Sequence, residues 1–144
     1  MNNELIEKLK AIREYLMALQ AQAQAGDAKK LADLINQNAP GLDEQSRDEQ
    51  LGPMWRDYQK LVPYMTEHQR VTAKSRIGYF RSRASIYQFY PETGAQNFCG
   101  FDSRETVKVR LIDFVNGYVP QMLADLDDIE REIKKNPKLG FLRN

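Results

Sequence analysis

The chain has 144 residues, of which 42% are hydrophobic and 28% are charged, and its net charge is +1. It is long enough to bury one sizeable core, and its composition excludes intrinsic disorder and a protein that is basic throughout. The single cysteine excludes an internal disulfide framework. The N-terminal run MNNELIEKLK lacks the pattern of a signal peptide, and no stretch has the roughly eighteen apolar residues of a membrane span. We therefore expect a cytoplasmic protein without membrane contact.

The first 25 residues predict an amphipathic helix. Its apolar residues are spaced 4, 3, 4 and 3 and share one stripe: Leu5, Leu9, Ile12, Leu16 and Leu19. Gly26 is the expected C-cap of this helix, and Asp27 is the expected N-cap of a second one. The second helix should end before Pro40.

Residues 41–52 are polar and acidic, which predicts a loop or a short helix. Pro53 suits the first turn of the next helix. Trp55, Tyr58, Val62 and Met65 keep helical spacing past Pro63, so that proline either kinks this helix or begins a new one.

Residues 74–90, KSRIGYFRSRASIYQFY, contain four cationic side chains, five aromatic rings and no acid. Helical spacing favours a helix to about residue 83. Beyond it, SIYQFY and NFCGF are rich in β-formers and PETG is typical of a turn, which favours a small hairpin or an irregular loop near residues 85–101.

The strongest helical periodicity follows residue 103. Asp102 or Ser103 is the expected cap. The apolar positions are spaced 4, 4, 3, 4, 4, 3 and 4: Val107, Leu111, Val115, Tyr118, Met122, Leu126, Ile129 and Ile133. Gly117 and Pro120 should bend or split this helix, and Asn136-Pro137 should end it.

Together these elements predict a mainly α protein, a bundle of about five helices with the alternative of a small hairpin near residues 85–101. We expect residues 1–135 to form one helical domain and residues 136–144 to form a short C-terminal tail that docks on the domain or engages a partner.

Catalytic and cofactor motifs are not found in the sequence. Cys99 and His68 have no flanking signature of a nucleophile and its base, and no phosphate-binding or zinc-binding spacing occurs. Asp125, Asp128 and Glu132 share a helical face, which we interpret as a solvated face balanced by nearby lysine and arginine. We therefore predict a protein without enzymatic activity and without a cofactor or metal. Chemistry at Cys99 or at the acidic cluster is the remaining enzyme hypothesis.

Positive charge is concentrated in the middle of the chain, where residues 70–110 hold 8 Lys/Arg and 3 Asp/Glu, a net charge of +5. Arginine and lysine bind phosphates, and aromatic rings stack on unpaired bases. The candidate macromolecule-binding residues are Arg70, Lys74, Arg76, Tyr79, Arg81, Arg83, Tyr87, Arg104 and Lys108. Arg70, Lys74 and Arg81 should share one face of a helix. The alternative is that the rings belong to the core and the arginines form its solvated rim.

Two binding hypotheses follow from this pattern. The first is an interaction module (an adaptor, an inhibitor or a small subunit of a larger assembly) whose acidic segments, 43–49 and 125–132, and basic segments, 70–83 and 104–110, steer a protein partner. The second is an accessory protein that binds nucleic acid through residues 70–90. The N-terminal stripe packs inside the bundle or, alternatively, forms a homodimer with its counterpart in a second copy.

Overall fold

The computed structural model describes residues 2–38, 53–89, 95–97, 100–102 and 104–135. This part of the chain contains five α-helices: α1 (Asn2–Gln24), α2 (Ala28–Asn38), α3 (Pro53–Gln59), α4 (Glu67–Phe89) and α5 (Arg104–Lys135). It also contains a 3-10 turn, Val62–Tyr64, and two short strands, β1 (Ala95–Asn97) and β2 (Gly100–Asp102). The prediction of a mainly α protein with about five helices is confirmed. The acidic segment 43–49, Cys99 and the tail 136–144 lie outside the described residues.

The turn between α1 and α2 is the one that the sequence predicts. Gly26 has a φ of 72°, in the left-handed region that glycine adopts without a steric cost. The next residue, Asp27, caps α2, because its Oδ1 accepts a hydrogen bond of 3.0 Å from the backbone N–H of Lys30. Glycine ends one helix here and aspartate begins the other.

A capping box that the sequence analysis missed begins α4. The backbone N–H of Gln69 donates to Thr66 Oγ1 at 3.1 Å, and the backbone N–H of Thr66 donates to Gln69 Oε1 at 3.0 Å. The signature is legible in the letters TEHQ. Pro63 lies in the separate 3-10 turn, so the apolar spacing that continues past it does not belong to one helix.

The hairpin predicted near residues 85–101 is wrong in its first part, because α4 continues to Phe89. The described strands, Ala95–Asn97 and Gly100–Asp102, pair antiparallel, Ala95 with Asp102 and Asn97 with Gly100. The β-formers after residue 83 adopt a helix because Ala84 and Tyr87 continue the spacing of Phe80 into the core. Burial on that face outweighs the intrinsic preference for a strand.

α5 is one continuous helix of 32 residues that neither Gly117 nor Pro120 splits. The predicted apolar stripe is buried except at Tyr118, which is half-buried, and Val119 is fully buried beside it. Pro120 and Gly117 lie on exposed positions of the helix. None of the described helices is long and apolar enough to cross a membrane.

The buried apolar side chains of all five helices belong to a single core cluster. α5 packs against α1 and α4, and α2 packs against α4 and α1. The N-terminal stripe is committed to this core, since Leu9, Ile12, Leu16 and Leu19 have no exposed surface. Ion pairs tie α1 to its neighbours from outside the core: Arg13 to Asp127 at 2.8 Å, and Lys8 to Asp57 at 3.4 Å.

Candidate functional site

One surface combines aromatic rings, arginines and carboxylates, and it lies where α4 and α5 run side by side. The contacts between the helices show that they are antiparallel, because rising numbers in α4 meet falling numbers in α5. We call this region the α4–α5 surface. Its residues are Gln69, Arg76, Tyr79, Arg83, Phe114, Tyr118, Gln121, Asp125 and Asp128.

Three aromatic rings stack at the centre of the α4–α5 surface. The ring centroid of Tyr79 lies 5.1 Å from that of Phe114 and 6.2 Å from that of Tyr118, and the latter two are 5.6 Å apart. The ring planes lie within 23° of one another. Such offset stacking is favourable beyond the burial of apolar area. Tyr79 nevertheless keeps 43% of its surface exposed, so the cluster presents an aromatic face to its surroundings.

An arginine lies over the rings at each end of the cluster. The guanidinium carbon of Arg76 is 5.6 Å from the ring centroid of Tyr118, and that of Arg83 is 5.2 Å from the ring centroid of Phe114. Both distances are within the range of cation–π attraction. The Nε of Arg83 is buried and has no hydrogen-bond partner. Cation–π attraction to Phe114 therefore helps to hold the guanidinium of Arg83 in place.

Arg76 also makes the main polar contact between α4 and α5. Its Nη1 donates to Asp125 Oδ2 at 3.3 Å, and its Nη2 donates to Gln121 Oε1 at 2.6 Å. Only 9% of Arg76 is exposed. The nearby Tyr58 is buried, and this burial, together with the charge of Asp125, raises the pKa of the Tyr58 hydroxyl well above its usual value of 10.0. Arg76 acts within the fold, between two helices.

The predicted basic face lies on another side of α4. Nine residues separate Arg70 from Tyr79, and at about 100° per residue this places the two side chains roughly 180° apart. Lys74, five residues from Tyr79, is about 140° away on the same reckoning. Both side chains are exposed, and Arg70 donates to Glu67 Oε1 at 2.5 Å. The structure therefore does not bring Arg70 and Lys74 together with Arg76 and Arg83.

The remaining predicted residues are divided in the same way. Tyr87 is buried, with 7% of its surface exposed, so it belongs to the core. Lys108 is half-buried, and its six-residue separation from Phe114 places it about 120° around α5. Arg81 and Arg104 belong to α4 and α5 respectively, and their side chains lie outside the described set. Of the nine predicted residues, the structure places Arg76, Tyr79 and Arg83 in one surface.

Sequence reasoning missed the contribution of α5. The sequence pattern does not distinguish Phe114, and it places Tyr118 in the core stripe. The available signal was the 4 and 3 spacing of Phe114, Tyr118 and Gln121 along one edge of that stripe. The prediction of a solvated acidic face is wrong at Asp125. Its side chain is 22% exposed and pairs with Arg76 at 3.3 Å.

A groove of about 370 Å³ adjoins the acidic end of the α4–α5 surface. It is lined by Pro63, Tyr64, Met65, Thr66, Gln69, Asp128 and Glu132. Asp128 accepts hydrogen bonds from Gln69 and from Arg131. Within the described residues, no three His, Cys, Asp or Glu side chains are grouped closely enough to hold a metal ion.

Comparisons of the chain with protein-family models, with curated proteins and with solved structures found no significant match. The geometry of the α4–α5 surface is therefore the basis for proposing a function. A half-exposed aromatic cluster with Arg76 and Arg83 over its rings offers stacking and cation–π contacts.

Proposed function

We propose that this protein is a non-enzymatic binding module (an adaptor, an inhibitor or a small subunit of an assembly) that engages a protein partner through the α4–α5 surface. The observation that carries the proposal is the exposed ring of Tyr79, stacked on Phe114 and Tyr118 and flanked by Arg76 and Arg83. Tyrosine and arginine are enriched among the residues that dominate protein interfaces.

The preorganised geometry of the cluster supports this proposal. Arg76 is fixed by Asp125 and Gln121, and Tyr79 is fixed by two rings, so few rotamers remain to be lost on binding. Binding surfaces that are ordered beforehand lose less conformational entropy when a partner docks. A partner with an apolar or aromatic group for Tyr79 would gain the largest contact.

Nucleic acid is the second candidate, and the distribution of charge makes it the weaker one. A phosphate backbone requires several cations that converge on one surface. Here Arg76 is neutralised by Asp125, and Arg70 is paired with Glu67 on another side of α4. The nucleic-acid hypothesis then depends on Lys74 and Arg83, and on Arg81, whose side chain lies outside the described set.

Catalysis is the third candidate. The carboxylate of Asp125 is already bound to Arg76, and that of Asp128 is bound to Gln69 and Arg131. Carboxylates that do acid–base work converge on a substrate site instead of pairing with structural arginines. These pairings weigh against acid–base chemistry at the acidic cluster, and we propose a protein without enzymatic activity. We also propose that it has no cofactor and acts in the cytoplasm.

The proposal is tested by comparing two substitutions at exposed apolar residues. Tyr79→Ser removes the ring at the centre of the α4–α5 surface, and Met17→Ser removes a side chain of similar exposure on α1. We expect proteins captured from native cells by the wild type to be lost with Tyr79→Ser and retained with Met17→Ser. Nuclease treatment should change neither result, and circular dichroism should show that both variants are folded.

Equal capture by Tyr79→Ser and by the wild type would contradict the proposal. Capture that nuclease abolishes would favour the second candidate. A titration of short DNA and RNA then distinguishes the two, because phosphate binding weakens steeply with salt and should be lost when Arg81 and Arg83 are both replaced by glutamine.

A further inference from the structure

α5 carries a second periodic stripe, which lies along the edge of its contact with α4. The stripe consists of Arg110, Phe114, Gly117, Gln121, Ala124 and Asp128. The spacings of 4, 3, 4, 3 and 4 are those of the contact face in a coiled coil. The last four residues are exposed, and the first two are half-buried. We call these six residues the α5 stripe.

The α5 stripe is complementary to itself when it is followed in the opposite direction. Its midpoint falls at residue 119, with Arg110 and Asp128 nine positions to either side. Phe114 and Ala124 lie five positions from the midpoint, and Gly117 and Gln121 lie two positions from it. An antiparallel copy would therefore place arginine opposite aspartate, a large ring opposite a methyl group, and glycine opposite a longer amide side chain.

We propose that the partner of the α4–α5 surface is a second copy of this chain, bound through the α5 stripe about a two-fold axis near residue 119. This inference rests on the proposed function and names its partner. In a two-fold interface each residue pairing occurs twice, so the contact between Arg110 and Asp128 is doubled. Opposite charges at both ends fix the register and the antiparallel orientation.

Gly117 supplies an independent observation. Glycine in the interior of a helix lowers its stability relative to alanine. A Cβ added at Gly117 would meet no atom of the chain within 4 Å, so packing inside the molecule does not require a glycine there. A missing side chain at the centre of the stripe lets the backbone of a second helix approach closely. The exposed Tyr79 ring would cover the flank of that contact.

The alternative dimer through the N-terminal helix has no comparable surface. Four of its five apolar stripe residues, Leu9 to Leu19, are fully buried in the core, Leu5 is half-buried against it, and the exposed Met17 lies outside the stripe. The α5 stripe combines heptad spacing, exposure and self-complementary charge. We therefore prefer it to the N-terminal helix as the dimer surface.

The test uses sedimentation velocity on two charge reversals, Arg110→Asp and Asp128→Arg. Each variant alone faces itself with like charges, so we expect each to raise the dimer dissociation constant at least about tenfold relative to the wild type. Mixing the two variants restores opposite charges at both ends. The mixture should therefore form a heterodimer about as tight as the wild-type dimer. Asp33→Arg, an exposed reversal on α2, is the matched control and should leave the dimer unchanged.

A second variant probes the close approach of the helices. Gly117→Leu places a large side chain at the midpoint and should abolish the dimer, while circular dichroism should show an intact helical fold. A wild-type chain that stays monomeric at all concentrations would overturn the proposal. So would a dimer that survives both charge reversals, or a mixture that fails to restore it. If the chain is monomeric and Tyr79→Ser still loses a captured protein, the homodimer fails and the proposed function stands.

Discussion

Tyr79 and Phe80 are neighbours in α4 and have opposite environments. Phe80 is fully buried and Tyr79 is 43% exposed. We expect Phe80→Ala to lower the free energy of unfolding by about 3–5 kcal/mol, as in other cores. Tyr79→Ala should cost about 1 kcal/mol, because it removes mainly the stacking on Phe114 and Tyr118. Urea denaturation measures both values, and equal costs would mean that Tyr79 belongs to the core.

Arg76 and Asp125 form a pair that is largely removed from water, with side-chain exposures of 11% and 22%. Arg76→Met leaves the carboxylate of Asp125 without its main partner and should destabilise the fold by about 2 kcal/mol, between the values for surface and buried pairs. Adding Asp125→Leu removes the unpaired charge and should recover most of the loss. Denaturation of the two single variants and the double variant completes a double-mutant cycle, which measures the interaction energy of the pair. Additive losses would contradict the pairing.

The sequence alone predicts only part of the candidate surface. The unusual density of rings and arginines in residues 74–90 led to Tyr79, Arg76 and Arg83. It could not separate these three from Tyr87, which faces the core, because that distinction depends on which side of α4 the neighbouring helices cover. Phe114 was missed because its role comes from a contact with α4, far away in the sequence.

At the scale of an element, the glycine that follows α1 and the glycine inside α4 have contrasting roles. Gly26 has a φ of 72°, so Gly26→Ala should destabilise the protein by roughly 1–2 kcal/mol. Gly78 lies inside α4, and a Cβ there would meet nothing within 4 Å. Gly78→Ala should therefore stabilise the protein by about 0.5–1 kcal/mol. Thermal unfolding compares the pair, and opposite signs are the expected result.

The attachment of α5 to α1 should depend on pH through Glu130. Hydrogen bonds from Lys134 and from Arg13 hold the pKa of the Glu130 carboxyl below its usual value of 4.5. Because this pKa is lowered in the folded state, the stabilisation is present above the unfolded value and is lost as the pH falls through the folded one. We expect the free energy of unfolding to decrease less in Glu130→Gln than in the wild type as the pH falls below the usual glutamate value of 4.5. Identical pH profiles would exclude this contribution.

Helices with a strong apolar period were predictable, and their ends were predictable where caps have a sequence signature. α1, the turn at Gly26 and the start of α2 at Asp27 follow the expectations closely. The extension of α4 to Phe89 was not foreseen, because local β-propensity and tertiary burial conflict after residue 83. The continuity of α5 through Pro120 was not predictable either, because a proline inside a helix can bend it or end it.

At the scale of the whole molecule, the core is built from all five helices, and the α4–α5 surface lies at its edge, where Phe114 and Tyr118 pack against it. The N-terminal leucines, which have the spacing of a coiled-coil stripe, pack in the core of the same molecule. Tyr79 remains exposed on α4, and it is already ordered by its contacts with the half-buried rings of Phe114 and Tyr118. This division between core and surface supports a binding role for α4 and α5.

The most direct measurement is photo-cross-linking from the surface itself. A photoreactive phenylalanine analogue replaces Tyr79 in one variant and Met17 in another, and the cross-linked products are identified by mass spectrometry after irradiation in cells. We expect protein adducts from position 79 and few from position 17, and peptides of this same chain among the former would identify the second copy. Nucleic-acid adducts at position 79, or equal protein adducts at both positions, would contradict the proposed function.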